Sequence, residues 1–458
     1  QLPIARSEST CLRGTRRHHR VDLVARRQSG PAPIPKVPLP LVSKSRWTPR
    51  LSKVEARFLP AWFACVAADW LQGPYLYALY ADRGLSSAVI ARLFTVGFLS
   101  SGALGSAAGG FCDRIGQRCG CLLYCALMCS SCLLTHSLCL RTLVLGKLLG
   151  GVAESLLYSA FEVWAIEEHR QEQSRNFYAG ADSGASLQRL LSRMWSGSWV
   201  VAVVSGVAGS IVVNLAGGPA AAFDLAAVSC IVGALLISLF WKEERRYSSS
   251  HAQENMKLSL VANSPKRTFS LGSFSCLRQV RAAVKRDPRI SDCGAIIAAF
   301  EGSMFVFVFS WSPILIQGCP DIANNLGLAF SLLMFCCACG SSAFDKLSRR
   351  WSPAQIMRPL LCLSSFALML AALSAHSGVA GLPGALAAFL LFELCVGLYF
   401  PCVGALKSQI VPDEIRTLVY SLYRVPLNAL ALAVLLGVPH RSLALGLCSV
   451  TLFGTAQV

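Results

Sequence analysis

Charged residues are scarce in this chain. They make up 14% of its 458 residues, whereas hydrophobic residues make up 54%. The mean hydropathy is +0.52. In soluble globular proteins roughly a quarter of the residues are charged. This deficit excludes a soluble enzyme that folds around a single buried core.

Acidic residues are the scarcer of the two signs. The chain has 24 Asp and Glu against 42 Lys and Arg, which gives a net charge of +18. Such an excess is also typical of proteins that bind nucleic acids. Here, however, the cations lie in tails and in loops between apolar blocks, not on the face of a polar domain. We therefore expect no nucleic-acid partner.

Motifs for catalysis or metal binding are also missing. The sequence has no HExxH motif, no Ser-His-Asp arrangement that we can place, and no glycine-rich phosphate loop outside the apolar blocks. Most of its 20 cysteines stand singly inside those blocks, as Cys125 does, without the spacing and His pairs of a zinc site. Such cysteines are typical of helix packing. We expect no enzymatic activity, no metal and no cofactor.

Long apolar blocks fill most of the chain. Lipid offers backbone amides no hydrogen-bond partner, so blocks of about 20 residues are predicted to be transmembrane helices. The fold class is therefore all-α and polytopic, with spans at 58–80, 87–111, 119–137, 141–165, 195–216, 220–241, 291–315, 324–344, 356–376, 383–405, 417–438 and 442–458. The last block is short and the first residue is Gln1. We expect the twelfth helix to be truncated.

Polar segments divide these blocks into two groups of six. Residues 1–57 are basic and proline-rich, which indicates a cytoplasmic tail or a targeting segment. Residues 242–290 are polar, serine-rich and basic, which indicates a central cytoplasmic loop. The sequence thus predicts a first six-helix bundle over 58–241 and a second over 291–458.

The loop charges give the orientation. The loops on the side away from both termini contain only three cations, which are Arg83, Arg141 and Arg441. The other side holds nearly all the remaining Lys and Arg. Cytoplasmic loops are enriched in these residues, so we expect both termini in the cytoplasm.

An internal repeat relates the two bundles. Residues 113–118 and 345–350 share one pattern of acidic, basic and small residues, at an offset of 232 positions. The same offset places Asp69 of the first span on Glu301 of the seventh. Parallel repeats of six helices are the architecture of major facilitator transporters. The sequence predicts that fold, with two pseudo-repeated halves.

The first repeated segment resembles the signature loop of that superfamily. Its matching residues are Gly109, Asp113, Arg114, Gly116 and Arg118, and Gln117 departs from the usual basic residue. In the superfamily this loop latches the halves together through charge pairs and helix-end dipoles. The resemblance implies a gating role for Asp113, Arg114 and Arg118, and for Asp345 in the repeat.

Ionisable residues also occur inside the predicted spans, where each costs roughly 3 kcal/mol on insertion scales. We expect them to face a polar cavity. On span 11, Thr417, Tyr420, Ser421, Arg424 and Asn428 recur on one helical face. Arg424 either handles an anion or forms a charge pair that only locks helices. The ionisable residues in the spans are Asp69, Arg92, Lys147, Glu154, Glu162, Asp224, Glu301, Glu393 and Arg424.

Span 4 carries a second polar face, made of Lys147, Glu154, Tyr158 and Glu162. Lys147 either faces the cavity or extends to the outer interface. The two glutamates are candidates for a proton relay or for ion pairs. In span 1, Gly73-Pro74 follows Asp69 and Gln72 and is predicted to break the helix, which would free backbone groups to line a site.

Several stretches resemble the molybdate-anion transporters. They are 69–80, 148–151, 159–164, 300–304, 397–401 and 424–427, and the resemblance covers about residues 58–440. Lys147 stands where that family usually has Arg, and Glu154 is acidic where a small polar residue is expected. The resemblance implies uptake of molybdate, a tetrahedral oxyanion, by a carrier of the plasma membrane. An organelle membrane is the alternative.

These features together predict how a dianion would be held. Arg424, Lys147 and Arg92 would supply charge, and Gln72, Tyr158 and Asn428 are among the hydrogen-bonding groups. We expect a monomer in the lipid bilayer, with proton coupling through Asp69, Glu162 or Glu301. The alternatives are a carrier of another solute (a sugar, an organic acid or sulfate) and a non-transporting membrane sensor.

Overall fold

The computed structural model describes residues 51–175, 183–241, 274–412, 415–438 and 440–457. These residues are helical or in turns, with no β-strand among them. Most of the expected tail and most of the expected central loop lie outside the described ranges. The helices of the first half are α1 (Lys53–Gln72), α2 (Leu76–Asp82), α3 (Ser87–Ile115), α4 (Gln117–Leu134), α5 (Leu140–Arg175), α6 (Ser183–Ala216) and α7 (Ala220–Phe240).

The second half follows the same plan. A short helix, α8, comes first, and a 3-10 turn at Pro320–Asn325 joins the second and third helices of this half. The helices are α8 (Phe274–Arg286), α9 (Arg289–Gly318), α10 (Leu326–Leu347), α11 (Pro353–His376), α12 (Leu382–Ile410), α13 (Arg416–Gly437) and α14 (Arg441–Thr455). Every predicted span thus corresponds to a helix, and the first is broken at Gly73-Pro74 into α1 and α2, as expected.

Hydropathy sorts these helices by their ability to cross a membrane. Among the described residues, eight helices are long and apolar enough to do so. Shorter apolar stretches lie at Ser87–Ala103 in α3 and at Leu422–Gly437 in α13, and α14 (Arg441–Thr455) is itself a shorter apolar helix.

The first helix begins earlier than the apolar pattern predicts. The Ser52 hydroxyl accepts a hydrogen bond from the Glu55 amide at 3.1 Å, and the Glu55 carboxylate accepts one from the Ser52 amide at 2.7 Å. This capping box satisfies two amides that a helix start leaves unpaired. It starts α1 at Lys53, inside the segment predicted as tail.

Helix α8 was not predicted at all, because it lies in the segment assigned to the central loop. Its sequence is rich in Arg, Ala and Val rather than in strongly apolar residues. A short amphipathic helix of this kind contains no long apolar block, so a search for such blocks does not detect it.

Each half packs mainly against itself. In the first half α5 packs on α3 and α4, and α1 packs on α6 and α7. In the second half α12 packs on α10 and α11, while α9 packs on α13 and α14. The halves meet chiefly where α6 packs on α10, with smaller contacts between α3 and α13. Two bundles joined by a limited interface suit motion of one half against the other.

Glycine permits the closest of these packings. Gly397 of α12 lies against the Cys337 carbonyl of α10, and a Cβ at position 397 would overlap that oxygen. Gly340 of α10 lies in the same way against the Leu394 carbonyl. Small residues at such crossings let helix backbones approach closely within the membrane.

We expect Gly397→Ala to lower the thermal stability of the purified protein. The added methyl group would force α10 and α12 apart, at a cost of about 1–3 kcal/mol. Gly404→Ala is the matched control, because a Cβ at that position of the same helix meets nothing within 4 Å. Thermal unfolding followed by tryptophan fluorescence measures both variants. Equal melting temperatures for the two variants would contradict this packing.

Candidate functional site

A cluster of charged groups lies inside the first half. The Tyr158 hydroxyl of α5 donates a hydrogen bond to the Asp69 carboxylate of α1 at 3.1 Å. Glu154 and Lys147, one and three turns earlier on α5, act electrostatically on the same carboxylate. The face predicted for span 4 is therefore turned toward α1 over these three residues.

The ammonium group of Lys147 lies near two aromatic rings. Its ammonium nitrogen lies 5.7 Å from the centre of the Tyr80 ring and 5.8 Å from that of Phe94. An ammonium over an aromatic face is stabilised by the quadrupole of the ring. Two rings hold this cation, and whether it faces the cavity or the outer interface stays a prediction.

A second cluster lies inside the second half. The Tyr399 hydroxyl of α12 donates a hydrogen bond to Glu301 of α9 at 3.2 Å. The cations of Lys407 and Arg424 both act electrostatically on Glu301. Lys407 lies over the Tyr420 ring, with 5.0 Å from its nitrogen to the ring centre. Arg424 follows Tyr420 by one helical turn on α13.

The two clusters repeat one motif. In each half, a carboxylate on the first long helix accepts a hydrogen bond from a tyrosine on the fourth long helix. The pairs are Asp69 with Tyr158 and Glu301 with Tyr399. The sequence repeat aligned the two carboxylates but did not reveal the tyrosines. The surrounding charge differs, because the first pair has one cation and a further carboxylate, whereas the second has two cations.

Arg424 does not form the locking ion pair that was one interpretation of its position. Among the described side chains it makes no ion pair with Glu301 or Glu393, and it is exposed although it lies within a helix. Glu393 is buried and hydrogen-bonded to the Cys337 thiol. The side chains of Thr417 and Ser421 lie outside the described part of the chain.

Other predicted site residues do not join either cluster. Gln72 donates to the Ala68 carbonyl and to the Met128 sulfur, both at 3.1 Å. Asn428 lies beside Gly102, where α13 meets α3. Among the described side chains, Arg92 and Glu162 have no hydrogen bond or ion pair.

Asp224 lies at an end of the bundle. It is exposed and pairs with the exposed His136 at 2.7 Å, near the start of α7 and the end of α4. This contact belongs to the surface, so Asp224 does not face a cavity.

Hydrogen bonds join the two halves at one end of the bundle, opposite to the end where α1 begins. The Tyr75 hydroxyl is the centre of this contact and is fully buried. It lies 3.0 Å from the Ser210 hydroxyl, accepts from the Gly327 amide at 3.0 Å and donates to the Asn324 carbonyl at 3.1 Å. Ser210 belongs to the first half, and the other two partners belong to the second.

A second contact closes the same end. Arg441, at the start of α14, donates to the Tyr77 hydroxyl at 2.7 Å and to the Ser87 hydroxyl at 3.0 Å. Its guanidinium carbon also lies 5.1 Å from the centre of the Tyr77 ring. We call the contacts of Tyr75 and Arg441 together the Tyr75–Arg441 gate.

At the other end, the described ion pairs do not cross between the halves. Arg193 pairs with Glu55 at 2.7 Å, and Arg57 pairs with Glu168 at 3.6 Å. The exposure of Arg424 and Glu154, both within helices, fits an opening between the halves that faces this end.

Of the predicted gating residues, the structure describes the side chains of Arg118 and Asp345. Arg118 donates to the Ser238 carbonyl at 3.1 Å, within the first half. Asp345 is exposed near the end of α10. The side chains of Asp113 and Arg114 lie outside the described residues.

The comparisons with known proteins agree with this architecture. A family model described as sugar transporters, 12 TM, matches residues 41–391. The molybdate-anion transporter of Xenopus tropicalis is 32% identical over 392 residues, which are 84% of this chain and 78% of that protein. The molybdate-anion transporter of Danio rerio is 31% identical over 402 residues, which are 84% of this chain and 79% of that protein.

The chain belongs to the molybdate-anion transporter family of the major facilitator superfamily. The expected fold is confirmed by a crystal structure of a D-xylose–proton symporter, which aligns with a TM-score of 0.58 at 13% identity. That alignment covers 88% of this chain and 95% of the symporter. The relatives and the fold are therefore those of membrane transporters.

Within this family fold, Lys407 is one of the site residues that the sequence analysis missed. The predicted span ended at residue 405, but α12 continues to Ile410. Lys407 thus lies on a helix of the bundle and not in a loop. The helix continues for about one turn past the apolar block, and this continuation was the signal that could have placed Lys407 on the helix.

We expect Tyr75→Phe to favour opening of the Tyr75–Arg441 gate. The change removes hydrogen bonds between the halves and keeps the ring, at a net cost of roughly 1 kcal/mol, or about a fivefold shift toward the open state. Hydrogen–deuterium exchange of residues 73–87 and 320–330 measures this opening.

Tyr124→Phe is the control for this variant. Its buried hydroxyl donates at 2.8 Å to the Cys65 carbonyl, within the first half, so it also loses one buried hydrogen bond. Faster exchange in both variants to the same degree would show that stability, and not the gate, had changed.

Proposed function

We propose that this chain takes up molybdate, a tetrahedral dianion, across the plasma membrane by alternating access of its two halves. The observation that carries the proposal is the pair of cations, Lys407 and Arg424, that both act electrostatically on Glu301. Family membership supports the choice of molybdate, since curated relatives are named molybdate-anion transporters.

The chemistry of the second half suits an oxyanion. A dianion that leaves water needs paired cations or dense hydrogen-bond donors. Arg424 offers a planar guanidinium that can hold two oxygens at once, and Lys407 offers a compact charge. The hydroxyl of Tyr420 provides a further donor nearby. The first half is less suitable, because Asp69 and Glu154 outweigh the single charge of Lys147.

Coupling to protons follows from the energetics of uptake. Moving a charge across the membrane potential costs about 2.3 kcal/mol per 100 mV, and a dianion entering a negative cell meets this cost twice. Two protons carried with each anion would cancel it. The two tyrosine–carboxylate pairs, at Asp69 and at Glu301, offer one protonatable carboxylate in each half. We assign the coupled protons to these two groups.

The proposed orientation places both termini in the cytoplasm. The Tyr75–Arg441 gate then closes the outer side, and Lys407 and Arg424 face the cytoplasm. The second candidate function is a sugar carrier, which the description of the matching family model favours. The two cations near Glu301 argue against it, because a neutral sugar offers no charge to balance them.

We expect Arg424→Ala to reduce uptake of radiolabelled molybdate about tenfold or more, since a charged hydrogen-bonding group is lost from the site. The assay uses cells that lack their own carrier, with surface expression measured in parallel. Arg358→Ala is the control, because this exposed arginine of α11 lies outside both clusters and pairs with Gln457.

The same assay separates the substrates. Excess unlabelled sulfate tests the breadth of anion selectivity, and excess xylose tests the sugar carrier. Wild-type protein at the cell surface that takes up no molybdate would refute the proposal.

We expect Asp69→Asn to abolish the stimulation of uptake by an inward proton gradient. The amide oxygen can still accept the Tyr158 hydrogen bond, so the packing is kept while the protonatable group is lost. Proteoliposomes with a clamped membrane potential provide the measurement. Glu393→Gln is the control, since this buried carboxylate is hydrogen-bonded to Cys337 and belongs to neither tyrosine–carboxylate pair. An undiminished gradient effect in Asp69→Asn would remove Asp69 from the coupling path.

A further inference from the structure

Helix α8 is fixed to the bundle by its apolar face. Val280, Ala283 and Val284 pack against the hydrophobic core, and the helix contacts α9 and α13. These are the helices that carry Glu301 and Arg424. The apolar side of α8 is therefore already covered by this chain.

The other face of α8 is basic and exposed. Arg281, Lys285 and Arg286 project from it, and among the described side chains none of them has an ion pair or hydrogen bond. The next carboxylate, Asp287, is already engaged. The Arg289 guanidinium donates to both of its oxygens at 2.8–3.2 Å, which holds the pKa of Asp287 below its usual range. The three cations thus keep their charge uncompensated by this neighbour.

The position of this face indicates its partner. Helix α9 enters its span at Arg289, three residues after α8 ends, so α8 lies at the level of the membrane surface. Clusters of Lys and Arg directly cytoplasmic of a spanning helix attract the anionic lipids of the inner leaflet. Arginine also matches the geometry of phosphate oxygens.

We propose that Arg281, Lys285 and Arg286 of α8 form a binding surface for anionic phospholipid headgroups. The proposal rests on the orientation given above, with α8 on the cytoplasmic side, but not on the identity of the transported solute. A headgroup bound here would hold the second half to the inner leaflet, through the contacts of α8 with α9 and α13, while the first half moves.

The test uses the full chain, purified in detergent from membranes that contain both phosphatidylserine and phosphatidylcholine. Native mass spectrometry gives the ratio of the two lipids that stay bound. The variant is Arg281→Gln/Lys285→Gln/Arg286→Gln. The control is Lys346→Gln/Arg349→Gln/Arg350→Gln, which removes three exposed cations at the end of α10, on the same side of the bundle.

We expect the wild type to retain phosphatidylserine preferentially, the α8 variant to lose this preference at least fivefold, and the control to keep it. Melting temperatures verify that both variants are folded. Equal loss in the two variants would mean that general surface charge attracts the lipid, and no loss in the α8 variant would mean that α8 does not bind it. Either result overturns the proposal. Because the readout is bound lipid, it does not depend on whether the protein carries molybdate.

Discussion

The cost of placing an unpaired polar group in hydrocarbon determines most of this structure. It requires the backbone to form helices wherever the chain crosses the membrane. It also requires each charged side chain within a span to find compensation, because a charge facing lipid costs several kcal/mol. Lys147 lies over two aromatic rings, and the carboxylates of Asp69 and Glu301 each accept a tyrosine hydrogen bond. A binding site in such a bundle arises where this compensation is left incomplete.

The two halves satisfy the constraint differently, although they repeat one plan. Each half has a carboxylate with a tyrosine, but the first adds Lys147 and Glu154 and the second adds Lys407 and Arg424. The first cluster has an excess of negative charge, whereas the second has an excess of positive charge. An excess that the protein does not neutralise can be neutralised by a bound anion. The two halves thus share one fold but differ in their charge, and this difference gives them separate roles.

The sequence predicted the fold better than the site, for physical reasons. Apolar length and loop charge are local properties, so the spans and their division into two groups could be read from them. The contact between Tyr158 and Asp69 depends on how α5 is rotated about its axis relative to α1. The residue pattern of a single helix does not determine this rotation. Lys407 was missed because the apolar block that marked the span ends before this residue, whereas the helix continues to Ile410. Helix α8 has too few apolar residues to stand out.

The Tyr75–Arg441 gate shows why the chemistry of closure matters for transport. The Tyr75 contacts are neutral hydrogen bonds, each of which contributes about 1 kcal/mol net. A carrier must leave each of its states, so its two closed ends have to remain close in free energy. A buried ion pair at this position would be costly to break, since separation leaves uncompensated charges. Arg441, the charged member of the gate, binds hydroxyls and an aromatic ring instead of a carboxylate. It therefore strengthens closure without adding the barrier that a buried ion pair would impose.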